Sequence, residues 1–223
     1  MSTAGAGGGS AGSAAVADLG ELLDVYDERG RWLGVEPRDV VHREGLWHRC
    51  FHLWVLSGDG VLLQRRALDK EAFGGMLDAT AAGHLTAGEA VGDGVREAEE
   101  ELGVAFELAA LASLGVHPLV DHPTPATTNR EFQHVFLARD DRPLEAWTDF
   151  DRVEVAALAW IGLEHFAALV AGADLGPRPA REWDGRRVAV TQIARAELVA
   201  AGYGPALSVA LARFARGEPP AAI

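Results

Sequence analysis

The chain has 223 residues, of which 48% are hydrophobic and 24% charged, a balance that excludes a mainly disordered or collagen-like polymer. Its 20 Lys and Arg against 33 Asp and Glu leave a formal charge of −13, which excludes a basic nucleic-acid footprint and repels polyphosphates unless cations or a local basic cluster offset it. A single cysteine, Cys50, excludes an internal disulfide and a Cys-rich zinc site, and fits a reducing, cytoplasmic setting without a membrane span.

Residues 1–19 read as a flexible Gly/Ala/Ser tail, residues 20–172 as one domain, and residues 173–223 as a mainly helical C-terminal extension. In chain order, ELLDVYDERG predicts a short strand that closes in a turn at Arg29-Gly30, and Pro37 to Trp47 reads as polar and irregular. His48 to Leu56 predicts a strand. Ser57-Gly58-Asp59-Gly60 predicts a hairpin turn, with VLLQRR as the returning partner. LDATAAG predicts a strand of small residues. From Ala90 to Leu102 the pattern is helical, because Val91, Val95, Ala98 and Leu102 form one apolar stripe and Gly103 supplies the stop. Strands follow at Ser113 to Leu119, Glu131 to Ala138 and Val155 to Trp160. A helix follows at Leu163 to Ala171, then a Gly/Pro connector, a strand-like patch at Arg187 to Val190 and Ala-rich helical stretches. The mixture predicts an α+β or mixed-sheet layer fold.

The most informative segment is GHLTAGEAVGDGVREAEEELGV, Gly83 to Val104. Glu97, Glu100 and Glu101 fall at i, i+3 and i+4, which places three carboxylates on one helix face. Such oxygens suit Mg²⁺ or Mn²⁺. The same run also fits a plain solvated acidic face. The pattern Gly83-x5-Glu89, then Arg96-Glu97-Ala98-x-Glu100-Glu101-x-Gly103-Val104, resembles the Nudix box. One departure is that six residues, rather than seven, separate Glu89 from Arg96. The resemblance implies an α/β/α sandwich with a mixed sheet. It implies cation ligands at Glu97, Glu100, Glu101 and the Gly83 carbonyl, and a structural ion pair between Glu89 and Arg96. Asp93, one turn earlier, reads as solvated.

The flanks, roughly Leu22 to Phe166, look like the Nudix branch related to isopentenyl-diphosphate isomerase. That likeness implies diphosphate contacts from Arg66 and Lys70, and metal or substrate contacts from His48 and His84. His42 lies one residue from a third such position, and Glu131 matches a glutamate used in metal binding and proton transfer. Two departures bear on the reaction. Asn129 stands where the isomerases have another glutamate, and Ala82 stands where they need a cysteine before the Gly-His pair. The chain keeps the hydrolytic carboxylates and lacks that thiol. The expected activity is therefore Mg²⁺- or Mn²⁺-dependent hydrolysis of a diphosphate (pyrophosphate) linkage in a small nucleoside- or prenyl-diphosphate substrate. Glu131 is the first candidate for general base and Glu100 the second. The isomerase and a non-catalytic diphosphate-binding module are the alternatives. Cys50 and His52 read as packed residues. Trp47, Trp54 and Phe73 suit either the core or a stacked ligand. Trp183, with Arg181, Arg186 and Arg187, reads as a connector that could face an anionic substrate. GYGPALSVALARFAR suits packing on the domain or on a second copy in a homodimer.

Overall fold

The computed structural model describes residues 20–70, 72–124, 127–172, 176–199 and 202–223. The Gly/Ala/Ser segment 1–19 lies outside them. The scaffold is built on β3 (Trp47–Ser57), an 11-residue strand whose residues from Cys50 to Leu56 are buried on both faces, apart from half-buried His52. One edge of β3 runs parallel to β8 (Thr127–Arg139), from Trp47 opposite Arg130 to Leu56 opposite Arg139. Its other edge is shared in succession. β1 (Leu22–Tyr26) meets it at Trp47, β6 (Ala81–His84) covers Cys50 to Leu53, and β4 (Gly60–Arg66) covers Val55 to Ser57. The two-residue Gly58-Asp59 hairpin joins β3 to β4, with Gly58 at φ +61°, a conformation glycine adopts without steric cost.

β4 diverges from β3 beyond Leu62 and picks up β5 (Leu77–Asp78) on that side, while its far side pairs with β9 (Val155–Gly162). The predicted LDATAAG strand is thus split into β5 and β6 by Ala79-Thr80. Thr80 Oγ1 accepts from the Val55 amide, bridging the gap where the strands part. β7 (Ala112–Thr124) forms a long hairpin with β8, and β2 (Trp32–Pro37) pairs with β1 at one sheet edge. Every pairing except β3–β8 is antiparallel among the described strands.

Helices cover both faces. On one, Phe51, Leu53, Val55 and Leu62 pack with Ala98 and Leu102 of α2 (Arg96–Leu102) and with Trp147 and Phe150. On the other, Trp54, Leu56, Val61 and Leu63 pack with Phe166 and Leu169 of α3 (Leu163–Val170) and with Leu207, Ala210 and Leu211 of α4 (Gly204–Ala215). The result is the expected α/β/α arrangement with a mixed sheet.

Three readings are corrected. The segment after Pro37 is not irregular: it contains the short helix α1 (Arg38–Glu44), ended by Gly45 in the left-handed region. Only Val41 of that helix is buried, against Leu23 and Val25, so no apolar stripe announces it. The single helix expected from Ala90 is a 3-10 turn (Val91–Val95) followed by α2. Glycines at 92 and 94 disfavour an α-helix there, and a Cβ on Gly94 would stand 2.6 Å from Phe51 Cβ, so glycine is what lets the turn lie on β3. The C-terminal extension is not mainly helical. Before α4 it adds β10 (Arg178–Trp183) to β9 and then β11 (Val188–Ile193) to β10, extending the domain's own sheet. The strand-like patch expected at Arg187 to Val190 is borne out in β11; β10 was not expected, and its pairing with β9 and the burial of Ala180 and Trp183 decide it. Trp183 is therefore no solvated connector: its Nε1 donates to the Trp147 carbonyl at 2.8 Å inside the core.

Candidate active site

The parting of β3 and β4 leaves a cavity of about 500 Å³, closed by β6, α2 and the β7–β8 hairpin. Glu97, Glu100 and Glu101 reach it from α2, Arg66 from β4, Lys70 from the loop that follows, and Glu131 from β8. Residues from three strands or helices and a loop, Arg66 to Glu131 in sequence, thus converge on one space.

Burial separates the three box glutamates. Glu97 and Glu101 are buried, whereas the Glu100 side chain is 58% exposed. Gly83 is what admits Glu97, since any Cβ at that position would collide with the Glu97 carboxylate. Glu101 Oε2 accepts from the Ala82 amide and from Gln64 Nε2, both at 3.0 Å. Desolvation raises the Glu97 carboxyl to about 7, with Arg96 pulling against it and Glu100 adding to it. Desolvation raises Glu101 further, to about 8, against the Ala82 hydrogen bond and helped by Glu97 and Asp78.

Arg96 is the fixed counterion of this face. Its Nε donates to Glu89 Oε1 at 2.7 Å, so Glu89 and Arg96 meet despite the shortened spacing. Its Nη1 lies 2.7 Å from Glu97 and 2.9 Å from Glu100, and its Nη2 donates to the His84 carbonyl at 3.1 Å. Arg96 therefore does more than brace Glu89. Asp93 closes the preceding turn by accepting from the Ala90 amide at 2.8 Å. Arg66 is tied to Asp78 at 3.3 Å and Lys70 to Glu154.

A second group gathers at the cavity, lined by His42, Cys50, His84 and Glu131 with His48 buried beside them. The rings of His42, His48 and His84 form a triangle with centroids 5.0 to 5.3 Å apart. Ligand atoms of His48, Cys50, His84 and Glu131 all lie within 4.8 Å of one another. His48 Nδ1 is 3.0 Å from the Leu46 carbonyl, which can only accept, so Nδ1 carries the proton. That leaves the Nε2 lone pair buried and without a hydrogen-bond partner, 3.9 Å from Glu131. Burial, followed by repulsion from His84, depresses both His42 and His48 to about 4. Burial pushes the Glu131 carboxyl up, but His48, His52, His84 and the Gln133 amide outweigh it and hold it below the usual range. A neutral imidazole held by a backbone carbonyl, with an orphaned lone pair beside a carboxylate, fits a cation site.

Reading the sequence missed the place of Cys50 and His52. Both line the cavity, because β3 points residues 48, 50 and 52 to one side. That period of two was the available signal. Trp54 packs in the core, whereas Phe73 borders the cavity.

The NUDIX domain signature matches residues 46–183, more than half of the chain. The chain belongs to the Nudix family. With it comes the class of enzymes that act on phosphorus-containing anhydrides, a family that works with divalent cations. An uncharacterised Nudix hydrolase of Clostridium acetobutylicum is 34% identical over 151 residues, covering 66% of this chain and 72% of the relative. An isopentenyl-diphosphate Delta-isomerase of Burkholderia multivorans is 35% identical over 148 residues, covering 63% and 77%. A crystal structure of the Deinococcus radiodurans protein DR0079 superposes with a TM-score of 0.50 and 25% identity, covering 69% of this chain and 90% of that one. This Nudix chain has no described helix long and apolar enough to cross a membrane.

Proposed function

We propose that the chain hydrolyses a diphosphate linkage in a small nucleoside- or prenyl-diphosphate-type substrate, with Mg²⁺ or Mn²⁺ held on Glu97, Glu100 and Glu101. The reading is carried by one observation: the box carboxylates share a cavity with Arg66 and Lys70, the local cations an acidic chain needs for a phosphorylated ligand. A divalent cation would neutralise the phosphoryl oxygens and acidify water near them. Burial keeps protons on the Glu97 and Glu101 carboxyls near neutral pH, and a divalent cation would displace those protons and compensate the charge. The Arg96 Nη1 contact with Glu97 and Glu100 would yield to the cation, while its Nε stays on Glu89 and keeps the loop in place. Arg66 offers a planar donor fork and Lys70 a point charge to the substrate phosphates, in exchange for Asp78 and Glu154. Glu131, which lines the cavity, serves as general base, with Glu100 as the second candidate. His48 and His84, with His42, form a second cation or substrate site.

The test is a panel of nucleoside diphosphates, nucleotide sugars, coenzyme A and prenyl diphosphates with Mg²⁺, scored by product mass. Glu100→Gln should cut turnover by about two orders of magnitude or more with the fold intact. Near-full activity of that variant at saturating Mg²⁺ contradicts the cation assignment.

Isomerisation is the second reading, favoured by one contact: Cys50 borders the cavity and pairs in register with His84. Ala82, on the facing strand, supplies no thiol. Deuterium uptake at the allylic carbon of an isopentenyl diphosphate, followed by NMR, separates the two reactions. Tight binding without any product over hours would mark a non-catalytic module.

A further inference from the structure

Beyond the family match, which ends at residue 183, the C-terminal extension reaches back into the cavity wall through Tyr203, the residue before α4. Tyr203 is buried, and its hydroxyl lies 2.7 Å from His52 Nδ1 and 3.1 Å from Trp54 Nε1. Trp54 Nε1 can only donate, so the Tyr203 oxygen accepts from it. The hydroxyl proton then needs an acceptor, and His52 Nδ1 is the one within reach. Were Nδ1 itself protonated, that buried hydroxyl proton would be stranded, at a cost typical of an unmade hydrogen bond. The chain of donors therefore runs from Trp54 through Tyr203 to His52, and it leaves the proton of the neutral His52 ring on Nε2. His52 lines the cavity and pairs in register with Ala82 of β6, which lines it too.

We propose that Tyr203 is a positioning residue that fixes the Nε2–H tautomer of His52, making His52 a neutral hydrogen-bond donor to a phosphate oxygen of the bound diphosphate. The proposal deepens the reading of the cavity as a diphosphate site. The cavity's need is specific. Asp78, Glu97, Glu100, Glu101 and Glu131 are carboxylates that, when ionised, offer phosphate no donor, and Arg66 and Lys70 must each release a carboxylate to reach it. A neutral N–H adds a donor without adding a charge that must be stripped of water. It also gives the extension a function: its last helix carries the group that decides which His52 nitrogen faces the ligand.

The test uses the full chain, ¹⁵N-labelled at histidine, with Mg²⁺ and methylenediphosphonate, a diphosphate that water does not cleave. In the wild type, long-range ¹H–¹⁵N spectra should show His52 protonated on Nε2, and the Nε2 resonance should shift on addition of the diphosphonate. Tyr203→Phe should convert His52 to a tautomer mixture and weaken diphosphonate binding several-fold. His52→Ala should weaken it about tenfold, the scale of one hydrogen bond to a charged oxygen. His52→Gln, which keeps an N–H donor, should recover part of the loss, whereas a purely packing role would give no such rescue. A wild-type His52 protonated on Nδ1, or an Nε2 resonance that the diphosphonate leaves unmoved, overturns the proposal even if the variants fail to fold. A protein that binds the diphosphonate through His52 yet releases no product from any diphosphate refutes the hydrolase reading and leaves the relay standing. Hydrolysis with His52 silent does the reverse.

Discussion

Glu97 and Glu101 hold their protons well above the ordinary carboxylate range because α2 buries them beside each other. The linkage to stability has a definite sign. Between about 4.5, where an unfolded glutamate ionises, and 7 to 8, the folded chain binds more protons than the unfolded one, so stability falls as pH rises. His42 and His48 act oppositely, chiefly from about 4 up to 6.5, where their unfolded counterparts are half deprotonated. Above 6.5 that offset fades and the glutamates dominate. Chelator-treated protein should therefore melt at progressively lower temperature from pH 6.5 to about 8, and Mg²⁺ should restore it most at the alkaline end. A flat melting curve across that window refutes the assignment. Glu101→Gln, which removes the charge but keeps an acceptor for Ala82 and Gln64, should raise the metal-free melting temperature at pH 8 while lowering turnover about a hundredfold or more. The box glutamates were legible in the sequence because their helical spacing compresses them into five residues. Cys50 and His52 were not, because β3 is buried on both faces and its alternation is masked by apolar neighbours on either side.

At the scale of elements, two glycines set how closely α2 and its preceding turn approach the sheet. A Cβ on Gly94 meets Phe51 and Leu85, both rigidly packed, so Gly94→Ala should cost about 1–3 kcal/mol in denaturant unfolding. A Cβ on Gly83 meets only the end of the Glu97 side chain. That carboxylate can swing away, so Gly83→Ala should spare stability and raise the Mg²⁺ concentration needed for activity. Comparable loss of stability in the two variants would show that Glu97 is locked by more than this contact. The hairpin at Gly58 and the stop at Gly103, in the left-handed region at φ +67°, follow directly from glycine chemistry and were readable in advance. β2 and α1 escaped because neither carries a periodic apolar face: Trp32, Leu33 and Val35 of the edge strand are exposed, and α1 rests on Val41. The strand-like patch at Arg187 to Val190 anticipated β11, whereas β10 was missed because its strand state depends on an edge offered by β9, a tertiary fact that no local window contains.

For the whole molecule, the C-terminal extension is part of the fold's stability rather than an appendage. Leu207, Ala210 and Leu211 of α4 are fully buried against the same cluster as Trp54 and Phe166. Leu211→Ala should cost about 2–5 kcal/mol, measured by urea unfolding. If α4 were a loosely attached arm, the change would be within a few tenths.

The contact between His52 and Tyr203 spans 151 positions of sequence, and the seam between β3 and β8 likewise joins an early strand to a late one. A chain leaving the ribosome therefore exposes its acidic α2, Arg66 and Lys70 long before Tyr203 closes on His52. On the proposed relay, the His52 tautomer is set only once Tyr203 and α4 have joined the sheet.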